Sequence, residues 1–306
     1  MDLIRRIEAG SGEFLLFALT PPSLTTDPNR AQEIADAIVA RLDAFEPDGV
    51  ILYDIDDESA RNPAERPFPF MPTIDPADYL SEHLTALKTP VVVYRAASKY
   101  SAESLQGWLE RQDPGRVLTV LVGAPSRDKV SRLSLADAQD LRREINPDLL
   151  LGGVAIPERH TLRADEHLRL LSKQDAGCRF FVTQVVYDVN AAKNLVSDYH
   201  YECEARELAP APLVFTFAPC GSTKTLNFLR WLGVDVPRWI ENDLAHSSDP
   251  LEASYQQAIA IAAELIDYCR SLGMPFGLNV ESVSIRRVEI ETSVRLARQL
   301  QKMLRR

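Results

Sequence analysis

Residues 149–182, LLLGGVAIPERHTLRADEHLRLLSKQDAGCRFFV, carry the pattern that decides the fold. A short apolar run, Leu149–Ala155, precedes a stretch with helical spacing at about Leu162–Ala176, and a second apolar run follows at Arg179–Val182. Short apolar runs of this kind are typical of strands that are buried on both faces of a parallel sheet. The segment therefore predicts one strand–helix–strand unit.

The same unit recurs toward both ends of the chain. Further apolar runs lie at Phe14–Leu19, Gly49–Tyr53, Pro90–Tyr94, Arg116–Val122, Leu213–Phe217 and Phe276–Val280. Helical spacing separates the runs, as in about Pro28–Phe45, where Ile34, Ile38 and Leu42 recur every four residues on one face. Other helices are predicted at about Ser101–Arg111, Ser134–Ile145, Asn190–Leu208, Thr223–Leu232 and Leu251–Leu272, with one ending near Leu87 and one at the C-terminus.

Eight strand–helix units in 306 residues predict the fold class. Alternating strands and helices demand a parallel sheet, and eight units match an α/β protein with a single (β/α)8 TIM barrel over residues 1–306. An open, doubly wound sheet is the alternative. A dinucleotide-binding sheet of that kind typically has a G-x-G-x-x-G turn after a strand. This sequence has no such motif, and the only glycine pair near a strand is Gly152 and Gly153.

Composition excludes several classes of protein. Lys and Arg total 34 against 44 Asp and Glu, and a formal charge of −10 argues against nucleic-acid binding. The four cysteines are far apart in the sequence. This excludes a disulfide scaffold, and the cysteines lack the close spacing of a cysteine-ligated metal site. No apolar run is long enough for a membrane helix, and the N-terminus lacks a signal-peptide core. We therefore expect a cytoplasmic protein without a membrane partner, and homo-oligomerisation is left open.

Candidate functional residues follow the apolar runs, because active sites of this barrel lie at the C-terminal ends of its strands. They are Asp54, Asp56, Asp57 and Glu58; Arg95 and Lys99; Glu158, Arg159 and His160; Gln184; and Asn279. The long connection from Asp54 to Pro76 is predicted to lie over the mouth of the barrel. Structural interpretations stay open: a solvated loop for the acidic run, a helix cap for His160 and a buried hydrogen-bonding amide for Gln184. Lys173, His167, His200 and His246 are interpreted as ordinary helix or surface residues on position alone.

The middle of the chain resembles one family closely. Residues 153–160, GVAIPERH, are similar to the pattern G-x-A-Y-P-E-x-H, and residues 173–184, KQDAGCRFFVTQ, to K-x-D-A-G-A-x-F-x-I-T-Q. Both patterns are those of the methylenetetrahydrofolate reductases, flavin-dependent barrel enzymes of one-carbon metabolism. Weaker similarity continues at residues 20–22, TPP, at 185–188, VVYD, and at 276–279, FGLN.

This resemblance implies a cofactor and a substrate. It implies FAD, with His160 and Lys173 on the flavin side and Arg95 and Arg159 as further cofactor-binding cations, and it implies a tetrahydrofolate bound by Gln184 and Asn279. NAD(P)H is one candidate electron donor, and the sequence leaves the donor open. The small-molecule partner would then be a folate.

Four positions depart from the family pattern. Ala18 stands where the family has its general-acid Glu, and Ala124 stands where it has an Asp near pterin and flavin. Arg95 replaces a His and Ile156 replaces a Tyr. These changes predict that flavin binding is weak or absent. They also leave the general acid to be replaced by Asp54 or Asp56, which we favour, by Glu158, or by no residue.

Three functions remain compatible with the sequence. The first is a methylenetetrahydrofolate reductase-like oxidoreductase or folate-dependent methyl-transfer enzyme. The second is a folate- or flavin-binding barrel that has lost catalysis and acts as a regulatory or partner subunit. The third is unrelated chemistry, such as that of a lyase, on the same scaffold. We favour the first.

Overall fold

The barrel predicted from the sequence is confirmed. The computed structural model describes residues 2–57, 62, 64–123 and 132–305, so that Glu58, Ala124 and part of the 54–76 connection lie outside the described residues. Eight strands form a closed barrel in sequence order. They are β1 (Phe14–Leu19), β2 (Gly49–Leu52), β3 (Val91–Ala96), β4 (Val117–Val122), β5 (Leu151–Ala155), β6 (Cys178–Val185), β7 (Leu213–Phe217) and β8 (Phe276–Glu281).

Helices separate the strands. They are α1 (Leu3–Glu8), α2 (Pro28–Asp43), α3 (Pro76–Glu82), α4 (Ala102–Glu110), α5 (Leu135–Ile145), α6 (Pro157–Arg163), α7 (Glu166–Asp175), α8 (Val189–Ala205), α9 (Thr223–Trp231), α10 (Arg238–His246), α11 (Pro250–Leu272) and α12 (Arg287–Leu304). Local sequence explains many of their starts: Asp27, Asp75 and Asp249 each accept a backbone N–H and stand before a proline in the first turn. Among the described residues, no helix combines the length and hydrophobicity that crossing a bilayer requires.

One predicted helix is two helices. The stretch predicted at about Leu162–Ala176 contains the end of α6 and the whole of α7, because Ala164 adopts a left-handed conformation (φ 51°) that stops α6. The short helices α1 and α10 were not predicted. Strand β6 is also longer than the predicted Arg179–Val182, so Gln184 lies inside this strand and not after it.

The chain divides into two compact units, Ala18–Gly152 and Met1–Phe17 with Gly153–Arg306. The interpretation of residues 1–306 as one domain stays a prediction. In the first unit, β2, β3 and β4 pair in parallel and are almost wholly buried. The far end of the 54–76 connection returns to the segment after β1, where Ser23 and Thr73 form an antiparallel bridge.

In the second unit, β6, β7 and β8 pair in parallel around an aromatic core. Phe14, Phe180, Phe215 and Phe276 are at most 1% exposed there. Gly277 admits the ring of Phe14, since a Cβ on this glycine would lie 2.4 Å from a ring carbon. In this unit the large aromatic rings therefore pack closely against one another and against the glycine.

Candidate functional site

Asp54, the first candidate acid, is held by three donors. Its Oδ2 accepts hydrogen bonds from the backbone N–H of Ala96 (2.8 Å) and from the hydroxyl of Tyr100 (2.7 Å), and its Oδ1 pairs with the ammonium of Lys99. Its side chain is fully buried. Each contact donates to the carboxylate, so Asp54 joins the end of β2 to the end of β3. These contacts favour a structural role for Asp54 over proton donation.

A second carboxylate, Asp75, extends this network. Its Oδ1 accepts from Arg95 (2.6 Å) and its Oδ2 lies 2.8 Å from the hydroxyl of Tyr100. Although burial raises the pKa of Asp75, the Arg95 charge and the bonds from Tyr100 and Arg95 hold it below its ordinary value. The Tyr100 hydroxyl has one proton for two carboxylates, Asp54 and Asp75, so it can donate to only one of them at a time.

Asp56 lies at the edge of this network. It is half-buried, and its Oδ2 accepts a hydrogen bond from the hydroxyl of Ser98 (3.1 Å). Its Oδ1 accepts from the backbone N–H of Asp57 (2.8 Å). These bonds shape the loop after β2, and they leave the sequence-based interpretation of Asp56 as a proton donor a prediction.

Glu158, the third candidate acid, has different surroundings. It stands in the first turn of α6, and its Oε2 is buried with no hydrogen-bond partner among the described residues. Burial raises the pKa of Glu158 to about 7; backbone hydrogen bonds from Glu158 and Asp235 oppose this, and the carboxylates of Asp235 and Asp188 add to it. A carboxyl group with this pKa is protonated in part at neutral pH. The sequence-based interpretations of Glu158 and of the acidic run as proton donors both stay predictions.

Gln184 lies at an irregularity in β6. Val182 pairs with Val214 and Val185 with Thr216, so β6 has one more residue than β7 between these pairs. A bulge of this kind re-aims side chains and is frequent beside active sites. The Gln184 amide donates to the carbonyl of Leu232 (3.2 Å) and is half-buried. Its interpretation as a folate ligand stays a prediction.

Asn279 closes a buried polar ladder across three strands. Its Nδ2 donates to the hydroxyl of Thr216 on β7 (3.2 Å), and that hydroxyl donates to the carbonyl of Thr183 on β6 (2.9 Å). The backbone N–H of Thr216 donates to the Thr183 hydroxyl (3.0 Å). The ladder begins next to Gln184, so it supports the strand segment on which that amide stands.

The four residues that the resemblance assigns to FAD do not present a cradle for its pyrophosphate. Arg95 is bound to Asp75, is 4% exposed, and stacks on Tyr100 with its guanidinium carbon 3.8 Å from the ring centre. Lys173 donates to the carbonyl of Val154, and burial lowers its pKa. A pyrophosphate needs donors that point at it, and these two side chains point at the protein.

Of the other two assigned residues, His160 agrees with this conclusion, whereas the side chain of Arg159 is 42% exposed. His160 is buried, with its Nε2 3.0 Å from Oδ2 of Asp198. Arg159 lies 4.0 Å from the fully buried carboxylate of Glu166. Three of the four assigned side chains are therefore engaged with the protein. Such a donor set does not fit the flavin pyrophosphate, and we assign no flavin step to it.

Sequence reasoning missed Tyr100 and Asp75, which complete the network around Asp54 and Arg95. Asp75 had a signal, since an Asp before a proline is typical of a helix start. Its ion pair with Arg95, 20 residues away, had none. Glu166, which accepts from the backbone N–H of Ile156 (3.2 Å), was also missed.

The closed barrel of eight parallel strands with alternating helices defines a (β/α)8 protein. The family model for methylenetetrahydrofolate reductase matches residues 120–281, just over half of the chain. The chain belongs to the methylenetetrahydrofolate reductase family. No curated protein matches the sequence significantly.

Solved structures include one that is similar throughout. An uncharacterised protein from Clostridium thermocellum, described as binding two copies of 5-methyl-5,6,7,8-tetrahydrofolic acid, is 40% identical, with a TM-score of 0.87 over 98% of this chain and 99% of that one. A GH10 endoxylanase from a sugarcane soil metagenome is 13% identical (TM-score 0.47; 91% and 88% covered). Xylanase XynB from Paenibacillus barcinonensis is 10% identical (TM-score 0.49; 92% and 87% covered). The two xylanases carry no argument about this chain.

Proposed function

We propose that this protein binds a reduced folate of the 5-methyltetrahydrofolate class and acts on its one-carbon unit. One observation carries the proposal: the protein from Clostridium thermocellum that is 40% identical over almost the whole chain binds 5-methyltetrahydrofolate. Two local features support it. Gln184 stands at the bulge of β6, and Glu158 carries a pKa of about 7.

In this proposal Gln184 binds the pterin ring. Its amide offers a donor and an acceptor, which match a ring edge that carries an amide and ring nitrogens. In the structure its donor is engaged by the carbonyl of Leu232. A pterin would therefore compete with that carbonyl for the NH₂ group or bind the amide oxygen. Asn279 takes part through the ladder behind this strand.

Glu158 is the proposed proton donor. Opening a methylene bridge to an iminium, or transferring a methyl group to a nucleophilic acceptor, breaks a C–N bond and leaves its electron pair on a folate nitrogen. A protonated carboxyl group can give its proton to that nitrogen and remain as a carboxylate, a step that contributes about 10²–10⁴-fold to rate. Because Glu158 has a pKa of about 7, its protonated fraction, and with it turnover, is expected to fall as the pH rises through that value.

Titration calorimetry with 5-methyltetrahydrofolate tests the binding, and oxidised folic acid is the comparison ligand. We expect saturable binding that Gln184→Ala weakens. Turnover with methylene- and methyl-tetrahydrofolate is then followed with NADH, NADPH and added FAD, each present and absent. Absence of folate binding by the unchanged protein would refute the proposal.

A second function is favoured by the alanines at positions 18 and 124 and by the engaged cations Arg95 and Lys173. It is a folate-binding barrel that has lost catalysis and acts as a regulatory or partner subunit. Folate binding without turnover under every donor condition would support this function over the enzyme. Loss of turnover in Glu158→Gln with folate affinity unchanged would support the enzyme.

A further inference from the structure

Two histidines and an aspartate, from three helices of the second unit, lie close together. His160 on α6, His167 on α7 and Asp198 on α8 each place one ligand atom within 4.8 Å of the other two. The pair His160 Nε2 and Asp198 Oδ2 is 3.0 Å apart. The ring of His167 stands nearly perpendicular to that of His160, with 5.3 Å between the ring centres.

The histidines keep polar atoms without a partner. Nδ1 of His160 and Nδ1 of His167 are both buried, and neither has a hydrogen-bond partner among the described residues. Buried polar atoms in folded proteins are nearly always satisfied by protein, by water or by an ion. An ion bound through Nε2 of His160, the nitrogen that faces Asp198, would leave Nδ1 of His160 as it is, so the orphaned nitrogen that supports the site is that of His167. A neutral imidazole always offers a lone pair on one of its two nitrogens.

We propose that His160, His167 and Asp198 form a binding site for a divalent first-row transition metal of borderline softness, with Zn²⁺ as the representative ion. Imidazole nitrogen and carboxylate oxygen are ligands that Zn²⁺ takes in proteins. Two neutral imidazoles and one carboxylate leave the bound site with a single positive charge. The site uses other side chains than the proposed folate residues, although His160 follows Glu158 by two positions on α6, and it does not depend on the proposed function.

The distances fit such an ion after a small movement. Zn–N bonds of 2.0–2.1 Å and tetrahedral angles place ligand atoms roughly 3.3 Å apart. His160 and Asp198 are already near this separation at 3.0 Å. His167 is half-buried and has to approach by at most about 1.5 Å, judged from the 4.8 Å limit and the ligand separation that Zn–N bonds require.

The number of ligands indicates the kind of site. Three protein ligands leave the fourth position of a tetrahedral ion for water. Asp198 has a side chain that is 51% exposed, so solvent reaches the cluster from that side. The competing interpretation is a plain hydrogen bond between His160 and Asp198 that ties α6 to α8, with His167 beside it.

Competition for Zn²⁺ between the untagged 306-residue chain, stripped of metal, and a chromophoric zinc chelator tests the proposal. We expect one equivalent of Zn²⁺ to bind. His160→Ala and His167→Ala should each weaken Zn²⁺ affinity by more than about 100-fold. Removing a residue that only hydrogen-bonds a metal ligand costs less, about 10- to 100-fold. Co²⁺ in the same protein should show the visible bands of a four-coordinate ion.

Two control variants come from the same chain. His200→Ala changes a histidine on α8, the helix of Asp198, and His246→Ala changes an exposed one on α10; both should bind Zn²⁺ as the parent does. If His160→Ala fails to fold, His167→Gln provides the test instead, because His167 is only half-buried. Absence of Zn²⁺ binding by the parent would overturn the proposal. Binding that survives in folded His167→Gln and His167→Ala would do the same.

Discussion

Replacing Glu158 by Gln should change how the stability of this protein depends on pH. Burial raises the pKa of Glu158 from 4.5 to about 7, so the folded state holds this proton more tightly than the unfolded state does. Between these two values the folded protein binds more protons, and its free energy of unfolding falls as the pH rises. A shift of this size corresponds to about 3 kcal/mol, fully lost above pH 7. Glu158→Gln carries no charge and should show no such loss.

Urea unfolding of the parent and of Glu158→Gln at pH 5, 6, 7 and 8 measures this difference. We expect the variant to gain roughly 2–3 kcal/mol on the parent between pH 5 and pH 8. Glu144→Gln is the matched control, since it makes the same change at an exposed helix position. A difference between parent and Glu158→Gln that stays constant over this range would refute the assignment of a raised pKa. A difference that grows equally in Glu144→Gln would show that Glu158 is not its source.

Other variants test the folate residue, the buried network and the packing of the barrel. Gln184→Ala should weaken binding of 5-methyltetrahydrofolate by about tenfold or more in titration calorimetry, because a pterin group is left unpaired. Asp54→Ala should lower the free energy of unfolding in urea by about 3 kcal/mol, because it removes a fully buried carboxylate that pairs with the half-buried ammonium of Lys99 and accepts from two other donors. Gly277→Ala should lower it by about 1–3 kcal/mol, since the new methyl group would lie 2.4 Å from the Phe14 ring. Gly107→Ala, inside α4 with its nearest neighbour at 3.5 Å, should raise it by about 0.5–1 kcal/mol.

These variants also control one another. Unchanged folate affinity in Gln184→Ala would remove this residue from the site, whereas a lower free energy of unfolding would show that its bond to Leu232 matters to the fold. Asp56→Ala removes a neighbouring half-buried carboxylate and should be milder than Asp54→Ala. An equal loss in the two would contradict the argument from burial. Equal effects of Gly277→Ala and Gly107→Ala would contradict the argument from packing.

The barrel was predictable because its signals are local. Strands that are buried on both faces, such as Leu213–Phe217, appear as continuous apolar runs whatever they pair with. Helix starts such as Asp27 followed by Pro28 need only the neighbouring backbone. The break at Ala164 was missed, since a left-handed alanine has no mark in its own sequence and is rare for a residue with a Cβ.

The site was predictable only in outline. The positions after the predicted strands identified Asp54, Arg95 and Glu158 as candidates. The sequence pattern did not predict which residues these side chains contact. The chain's resemblance to the methylenetetrahydrofolate reductases, carried by residues 153–184, is a property of the sequence and is confirmed by the family model.

The tertiary structure decided what each candidate side chain contacts. Tyr100 meets Asp75 across 25 residues and His160 meets Asp198 across 38, and no local pattern encodes such pairs. Asp54 and Glu158 are both carboxyl groups after a strand, yet three donors surround the first, whereas burial without a partner for one oxygen raises the pKa of the second. The reason is physical: burial and charge around a side chain depend on residues that only the folded chain brings together.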